Sequence, residues 1–478
     1  MISFGTDGWR AVIADTFTFA NLRLVAQAVA DSINEEHTGD QQASIVIGYD
    51  TRFLSDRFAA ETARVMAANG IIAWLSRADT STPSISYNVV EKGADAGVVI
   101  TASHNPPRYN GFKLKASYGG SATAEQSKRV EQQLRRMELE GRVPNLMDYQ
   151  VAVDKDLIRK FDPSWVYYQH LSELIDFDTI SETELKVVAD AMYGSGRGSL
   201  ATILSRTRTR VTEIRGEMNP GFGGIHPEPI QHYLTELNAA VQREHADVGL
   251  ATDGDADRIG AVDAQGNFVD PHQIFSLVLR HLVENKKMTG DVVKTISTTF
   301  MIDNMVEAYG LKLHETPVGF NHIGDLMMTE DVLIGGEESG GISIKGHIPE
   351  GDGILMGLLL LEVMAYAKAP LHEIIADLQQ QFGPSFYSRN DVRLTKQLAK
   401  KEVVAKLEAN APSQLIGEDV VRVNTMDGIK FYLKDNSWLL IRPSGTEPVL
   451  RIYAEARSQK AVDAMLAEGG KLGQTILG

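Results

Sequence analysis

The chain has no cysteine among its 478 residues, which excludes disulfides and thiolate metal sites. A long apolar run is also missing. The richest stretch, 354–367 (ILMGLLLLEVMAYA), is interrupted by Gly357 and Glu362 and falls short of the ~20 residues a membrane span requires. It reads as a buried helix. Positive charge is scarce, with 47 Lys and Arg against 63 Asp and Glu and a net charge of −16. The mean field therefore repels nucleic acid and anionic membranes, and neither is expected as a partner. Any group that binds anions must be concentrated in a small basic pocket. The opening MISFGTDGWR lacks the charged start and apolar stretch of a secretory signal, so the expected compartment is the cytoplasm. What remains is ordinary globular composition, 43% hydrophobic and 23% charged, which suggests neither disorder nor a fibrous architecture. Single cores stop growing near ~250–300 residues, so three or four domains are expected.

Short β-branched runs alternate with helical stretches through most of the chain, as in α/β domains with largely parallel sheets. The pattern occurs three times. The first unit has a strand at Ser44–Tyr49, a helix at 56–69 and a strand at 97–101; the second has Lys186–Asp190, 229–244 and 247–252; the third has 292–297, 300–309 and 332–334. In each, the last strand runs into a polar loop containing glycine, at 103–111, 253–260 and 335–341, and ligands of open α/β sheets gather where strands end in such loops. A charged helix at Ala124–Glu140 and the Gly141–Pro144 stretch separate the first two units. A break near 263–266 and the Gly-Pro of QFGPS near 382–385 mark two further boundaries. Beyond them, strands at 429–434, 438–441 and 449–454 with a final helix form an α+β tail. The expected domains are 1–150, 151–263, 264–382 and 383–478.

Five loops carry candidate chemistry. DGDADR (253–258) places Asp253, Asp255 and Asp257 at alternate positions in a turn after an apolar strand. An all-oxygen set of this kind suits Mg²⁺ or Ca²⁺. A calcium EF-hand would need a preceding helix and a glutamate at its twelfth position, which is Ala264 here, leaving a solvated acidic turn as the plain alternative. TASHNPP (101–107) sets Ser103 beside His104 at a strand end, without the Gly-x-Ser-x-Gly elbow of an acyl-transfer serine; alone it could be a turn residue. NGFK (110–113) offers Lys113, which could neutralise a transferring phosphoryl group, or move a proton if its pKa were lowered, and could equally be a surface lysine. RPSGTEP (442–448) combines Arg442, Ser444, Gly445 and Thr446 as an anion cradle or an ordinary hairpin turn. GGEESGG (335–341) brings Glu337 and Ser339 on a glycine frame suited to sugar hydroxyls, or makes a flexible surface loop.

Together with FGTDGWR (4–10), these segments occur in the order seen in the α-D-phosphohexomutase superfamily, which the chain resembles over nearly its whole length. The resemblance implies an α/β fold: three similar α/β domains with mixed sheets plus a C-terminal α+β domain, heart-shaped around a central cleft to which each contributes a loop. It implies a phosphoserine at Ser103 and one Mg²⁺ per chain on Asp253, Asp255, Asp257 and a Ser103 phosphate oxygen. Arg258 is expected beside the phosphoserine. Arg10, His104 and Lys113 resemble the residues that stabilise the transferring group and act in proton transfer. Glu337, Ser339 and His347 resemble substrate contacts, and Arg442, Ser444, Gly445 and Thr446 a phosphate site. The implied partners are hexose phosphates, and the implied assembly is a monomer or dimer. Glu338, which follows Glu337, resembles glucose-specific relatives, so the leading expectation is interconversion of glucose 1-phosphate and glucose 6-phosphate, with glucose 1,6-bisphosphate as activator and intermediate. Mannose phosphates are the nearest rival substrates. Two departures stand out: Asn321 and Gly351 occupy positions where relatives often carry lysine. Each missing charged hydrogen bond could be worth ~1.5–3 kcal/mol, so a leaky enzyme that releases a hexose 1,6-bisphosphate is a second expectation. A catalytically silent sugar-phosphate sensor is the third, and the intact Ser103 and aspartate loop argue against it.

Overall fold

Three times along the chain, parallel strands end in a polar loop and the next strand returns antiparallel beside the last. The computed structural model describes residues 2, 4, 5, 7–394, 400–444 and 449–477. In the first sheet the order is Trp9–Val12, Tyr109–Ala116, Ala96–Ile100, Ser44–Tyr49, Ile72–Ser76 and Ile158–Phe161. Ala96–Ile100 pairs parallel with Ser44–Tyr49 and antiparallel with Tyr109–Ala116, so the Ser103 loop lies at that reversal. The second sheet runs Phe268–Val269, Ile259–Asp263, Val248–Thr252, Lys186–Asp190, Arg210–Ile214, and its reversal carries the aspartate loop. The third runs Leu313–Thr316, Asp291–Thr295, Val332–Gly336, Ile342–Ile344, and its reversal carries Glu337. The three units therefore share a topology in which each functional loop is the tip of an antiparallel return.

The fourth sheet is antiparallel throughout, in the order Phe386–Arg393, Val449–Ala456, Trp438–Pro443, Ile429–Leu433, Glu418–Asn424, Gln414–Leu415. Glu418–Asn424 was not expected from the sequence. It lies near the edge with an almost wholly exposed face pattern, so it shows none of the alternation that marks a half-buried strand. The helix expected over 229–244 begins only at Thr235, after a 3-10 turn at Gln231–Tyr233. The first sheet ends with Ile158–Phe161, beyond residue 150.

The apolar stretch forms the helix Gly353–Ala367, capped by the Asp352 carboxylate, which accepts from Leu355 N at 2.9 Å. It is hydrophobic all round, and a helix of that kind must be covered all round. Residues 353–365 are buried, and the helix sits in one apolar cluster that spans both the second and third units, from Tyr167 to Phe382. These two units thus share a core. Its one carboxylate, Glu362, is satisfied by Lys286 at 2.7 Å and His281 at 3.1 Å, as a buried charge requires. No single helix among the described residues is long and apolar enough to cross a membrane.

The fourth unit meets the third through a smaller apolar cluster of Ile296, Phe300, Tyr432, Trp438, Leu440 and Tyr453. Lys430 lies buried in this junction, donating to the Ile296 carbonyl at 2.6 Å with its ammonium 4.1 Å from the centre of the Trp438 ring. Burial, reinforced by the charge of Lys294, lowers its pKa from 10.5 to about 7. Between those two values the unfolded chain keeps a proton that the folded chain releases, so this group makes stability rise with pH across that window and flat below it. Replacing Lys430 by Met should remove a slope of up to about 1.4 kcal/mol per pH unit from the stability profile. Urea unfolding of both proteins between pH 7 and 10.5 measures this, and parallel profiles would refute the assignment.

Candidate active site

Ser103 ends the strand Ala96–Ile100 by way of Thr101 and Ala102, and its backbone is left-handed, with φ of 50°. A side chain rarely holds that conformation without support. The consequence is directional: Ser103 Oγ donates to Asp253 Oδ2 at 2.7 Å, joining residues 150 positions apart. Gly254 makes this approach possible. A Cβ at that position would stand 2.5 Å from the Ser103 carbonyl oxygen, so the two loops touch backbone to backbone. The aspartate loop is also pinned to the first unit by Thr82, whose N–H donates to the Asp255 carbonyl at 2.9 Å and whose hydroxyl donates to Asp255 Oδ2 at 2.6 Å.

Asp253, Asp255 and Asp257 are all buried, with carboxylate oxygens within 4.8 Å of one another. Burial and the charges of Asp257 and Asp255 push the Asp253 carboxyl well above the usual range. Asp255 Oδ1 and Asp257 Oδ1 have no hydrogen-bond partner among the described residues. Orphaned buried acceptors on three converging carboxylates fit a small hard cation, and oxygen-only ligands suit Mg²⁺.

Lys113 neutralises the opposite side. Its three N–H donors reach Asp7 Oδ2 at 2.8 Å, Asp255 Oδ2 at 2.8 Å and Asp257 Oδ2 at 2.7 Å. Burial alone would lower its pKa, but Asp255, Asp257 and Asp7 outweigh burial and hold it well above the normal value. The lowered pKa considered for Lys113 is therefore not found: three carboxylates keep it a cation. Behind it, Lys115 bridges Asp7 and Glu350, the latter at 2.7 Å.

The other expected catalytic groups converge here. Arg10 donates to Asn105 Oδ1 at 2.8 Å. His104 Nδ1 lies 3.4 Å from Ser103 Oγ, and burial, followed by the fields of Arg258, Arg10, Arg451 and Arg52, lowers its pKa well below normal, so the imidazole is neutral. Arg258 sits beside Asp257, with Nε 3.8 Å from Oδ1.

In the third loop, Glu337 Oε1 accepts from Gly319 N at 2.8 Å, and Ser339 Oγ is 3.5 Å from Glu337 Oε2. Burial raises the Glu337 pKa to about 7 against the opposing fields of Arg258 and Arg442. That carboxyl thus lies between the aspartate loop and the fourth sheet. Arg442 is held by Asp427 at 2.8 Å, and Asp427 also accepts from Val318 N at 3.0 Å. Ser444 is buried beside it in sequence; Gly445 and Thr446 lie outside the described residues.

One expectation needs correction. His347, expected to contact substrate, has both ring nitrogens engaged inside the protein, Nδ1 at 2.9 Å from His170 Nε2 and Nε2 at 3.0 Å from Asp352 Oδ2. Its side chain is fully buried, so it buttresses the second and third units. Glu338 accepts from Tyr387 at 2.8 Å and pairs with Arg389 at 3.2 Å, so its carboxylate joins the third loop to the fourth sheet. Gly351 leaves no socket for a lysine: a Cβ there would lie 2.7 Å from the Asp257 carbonyl oxygen. Asp7, Thr82, Lys115 and Glu350 were not singled out in advance. Asp7 stands inside FGTDGWR and was legible as part of that segment, whereas Thr82 has no local signal at all.

A buried serine aimed at a carboxylate cluster, flanked by fixed cations and supplied by loops of separate sheets, defines a phosphotransfer enzyme. The four families of phosphoglucomutase/phosphomannomutase domains match in tandem, alpha/beta/alpha domain I over residues 1–140, II over 166–266, III over 270–382 and the C-terminal domain over 392–468. A phosphoglucosamine mutase from Bacillus subtilis is 31% identical, covering 96% of this chain and 95% of its own. A phosphoglucomutase/phosphomannomutase from Thermococcus kodakarensis is 28% identical, with 98% of each covered. A solved protein of the phosphomannomutase type from Thermus thermophilus is 33% identical, with a TM-score of 0.84 over 99% of each chain. The chain belongs to the α-D-phosphohexomutase superfamily, whose members are intramolecular phosphotransferases.

The backbone contact at Gly254 yields a test. Gly254→Ala must separate the serine and aspartate loops, and a displacement near 1 Å can cost about 10²-fold in rate. We expect a loss of that order in mutase kcat with an unchanged circular dichroism spectrum; wild-type kcat in the variant would show that the contact is not needed.

Proposed function

We propose that the chain is a magnesium-dependent hexose-phosphate mutase acting on glucose 1-phosphate and glucose 6-phosphate through a phosphoserine at Ser103. The observation that carries this reading is the 2.7 Å approach of the Ser103 hydroxyl to Asp253 within a cluster of three buried carboxylates, two of whose oxygens lack a hydrogen-bond partner among the described residues. Phosphoryl transfer needs charge neutralisation and in-line positioning more than covalent chemistry from the protein. Asp253, Asp255, Asp257 and a phosphate oxygen on Ser103 would hold Mg²⁺, which when bound offsets negative charge on the transferring group. Arg10 and Arg258 orient the phosphoryl oxygens. In the transfer, the bond from phosphorus to Ser103 Oγ breaks as one forms to the sugar hydroxyl oxygen, and the hydroxyl proton leaves the sugar while Ser103 regains one. Neutral His104, with Nδ1 3.4 Å from Ser103 Oγ, accepts the proton from the sugar hydroxyl and, as the imidazolium so formed, returns it to Ser103 Oγ. Glu337 and Ser339 grip sugar hydroxyls, and Arg442 and Ser444 hold the phosphate that stays. The hexose 1,6-bisphosphate so formed turns in the cleft and returns its other phosphate.

Glucosamine phosphates are the second reading. Its support is the relative named phosphoglucosamine mutase in Bacillus subtilis. Release of the bisphosphate keeps its basis in Asn321 and Gly351, neither of which supplies a cation.

Ser103→Ala should lower mutase activity at least about a thousandfold, and mass spectrometry of the wild-type peptide should find the phosphate on Ser103 after exposure to glucose 1,6-bisphosphate. An active Ser103→Ala variant would end the reading. Initial rates with glucose, mannose and glucosamine 1-phosphates assign the sugar, and a preference for either of the latter two would reject glucose.

A further inference from the structure

The most fully used cation near Ser103 does not face the cleft. Arg52, 2% exposed, has five N–H donors on its guanidinium, and five hydrogen bonds account for them. Nε donates to Asp50 Oδ2 at 3.1 Å. Nη1 donates to the carbonyls of Pro106 at 2.9 Å and Tyr109 at 3.1 Å. Nη2 donates to the carbonyls of Ser103 at 2.5 Å and Asn105 at 2.6 Å. One planar group thus gathers four carbonyls of the loop that carries the serine, a task its fixed fork performs and a lysine cannot.

Asp50 completes the arrangement from the other side. Its Oδ1 accepts from Arg52 N and from Ser55 Oγ, each at 2.9 Å. Its Oδ2 accepts from Thr101 Oγ1 at 2.6 Å, and Thr101 Oγ1 in turn accepts from Ser103 N at 2.9 Å. The N–H of Ser103 is therefore held through Thr101 and Asp50, and its carbonyl through Arg52, so both peptide groups flanking this left-handed residue are fixed by one buried ion pair. The pair also touches the second unit: Arg52 lies 4.8 Å from the centre of the Phe222 ring, and Thr51 Oγ1 donates to the Tyr193 carbonyl at 2.7 Å.

We propose that Arg52, acting with Asp50 and Thr101, is a positioning residue for phosphoryl transfer: it holds Ser103 in its left-handed backbone conformation and so sets the direction in which the serine oxygen meets the aspartate loop. The inference rests on the phosphoserine reading of Ser103. Loss of the clamp lets the serine relax to ordinary backbone angles and turn away from Asp253, while the residues that grip sugar and distal phosphate stay where they are. The consequence falls on kcat and leaves KM nearly unchanged.

The test uses the full chain carrying Arg52→Lys, with Arg197→Lys as comparison. Arg197 forms a fork-like pair with Asp79 at 2.9 and 2.8 Å, remote in its bonding from the carbonyls that Arg52 gathers. We expect Arg52→Lys to lower both kcat and the single-turnover rate of Ser103 labelling by ³²P-labelled glucose 1,6-bisphosphate about a hundredfold, with KM within about threefold. Arg197→Lys should lose thermal stability while its kcat stays within about threefold of the parent. A kcat for Arg52→Lys within that same margin, or an equal loss in both variants, would overturn the proposal. Should Arg52→Lys not fold, Thr101→Val, which deletes the hydroxyl link at similar volume, should still slow labelling about tenfold, and undiminished labelling would overturn it as well. Absence of label on the parent protein would instead sink the phosphoserine reading itself.

Discussion

Three carboxylates buried within 4.8 Å of one another repel each other at a range where little water screens them. Everything around the cleft answers that repulsion. Lys113 reaches two of them and Asp7 together, Thr82 and the Ser103 hydroxyl donate to two, and backbone N–H groups of Asp257 and Arg258 donate to Asp253 Oδ1 at 3.1 and 3.2 Å. The loop cannot fold in this form without the first unit pressed against it, because that unit supplies Lys113, Thr82 and Ser103. Assembly of the site and association of the first two units are the same event.

The same economy explains why the functional loops sit where they do. A parallel strand followed by an antiparallel return leaves a tight tip at the sheet's end, and three such tips converge because their sheets pack with those ends facing one another. The tips carry strain, as the positive φ of Ser103 and Ala256 attests, and strained backbone persists only where surrounding bonds over-determine it. Burial supplies those bonds. A surface loop of the same composition would relax.

Much of this was legible beforehand because it is local. Ser44–Tyr49, Lys186–Asp190 and Ala124–Glu140 form as expected, since their apolar spacing and caps are contained within the segments themselves, and the three aspartates of DGDADR converge as their alternate spacing suggests. What was not legible depends on distant partners. Lys113 is kept charged by carboxylates more than a hundred residues away, His347 is claimed by His170 across the joint between two units, and Glu338 is drawn to Arg389 on the fourth sheet. None of these outcomes is written near the residue concerned. Gly351 is another such case: a Cβ there would lie 2.7 Å from the Asp257 carbonyl oxygen, a neighbour far away in sequence.

The four units are not equally joined. Second and third share one core built on Gly353–Ala367, so parting them would expose that helix along its length, at a cost of ~25 cal/mol for each Å² of apolar surface. Third and fourth meet through six buried apolar side chains and a set of polar links: Lys430 to the Ile296 carbonyl, Asp427 to Val318, Glu338 to Arg389. Polar links of this kind can be exchanged for water at small net cost. Of these two joints, the one between the third and fourth units therefore parts at the smaller apolar cost.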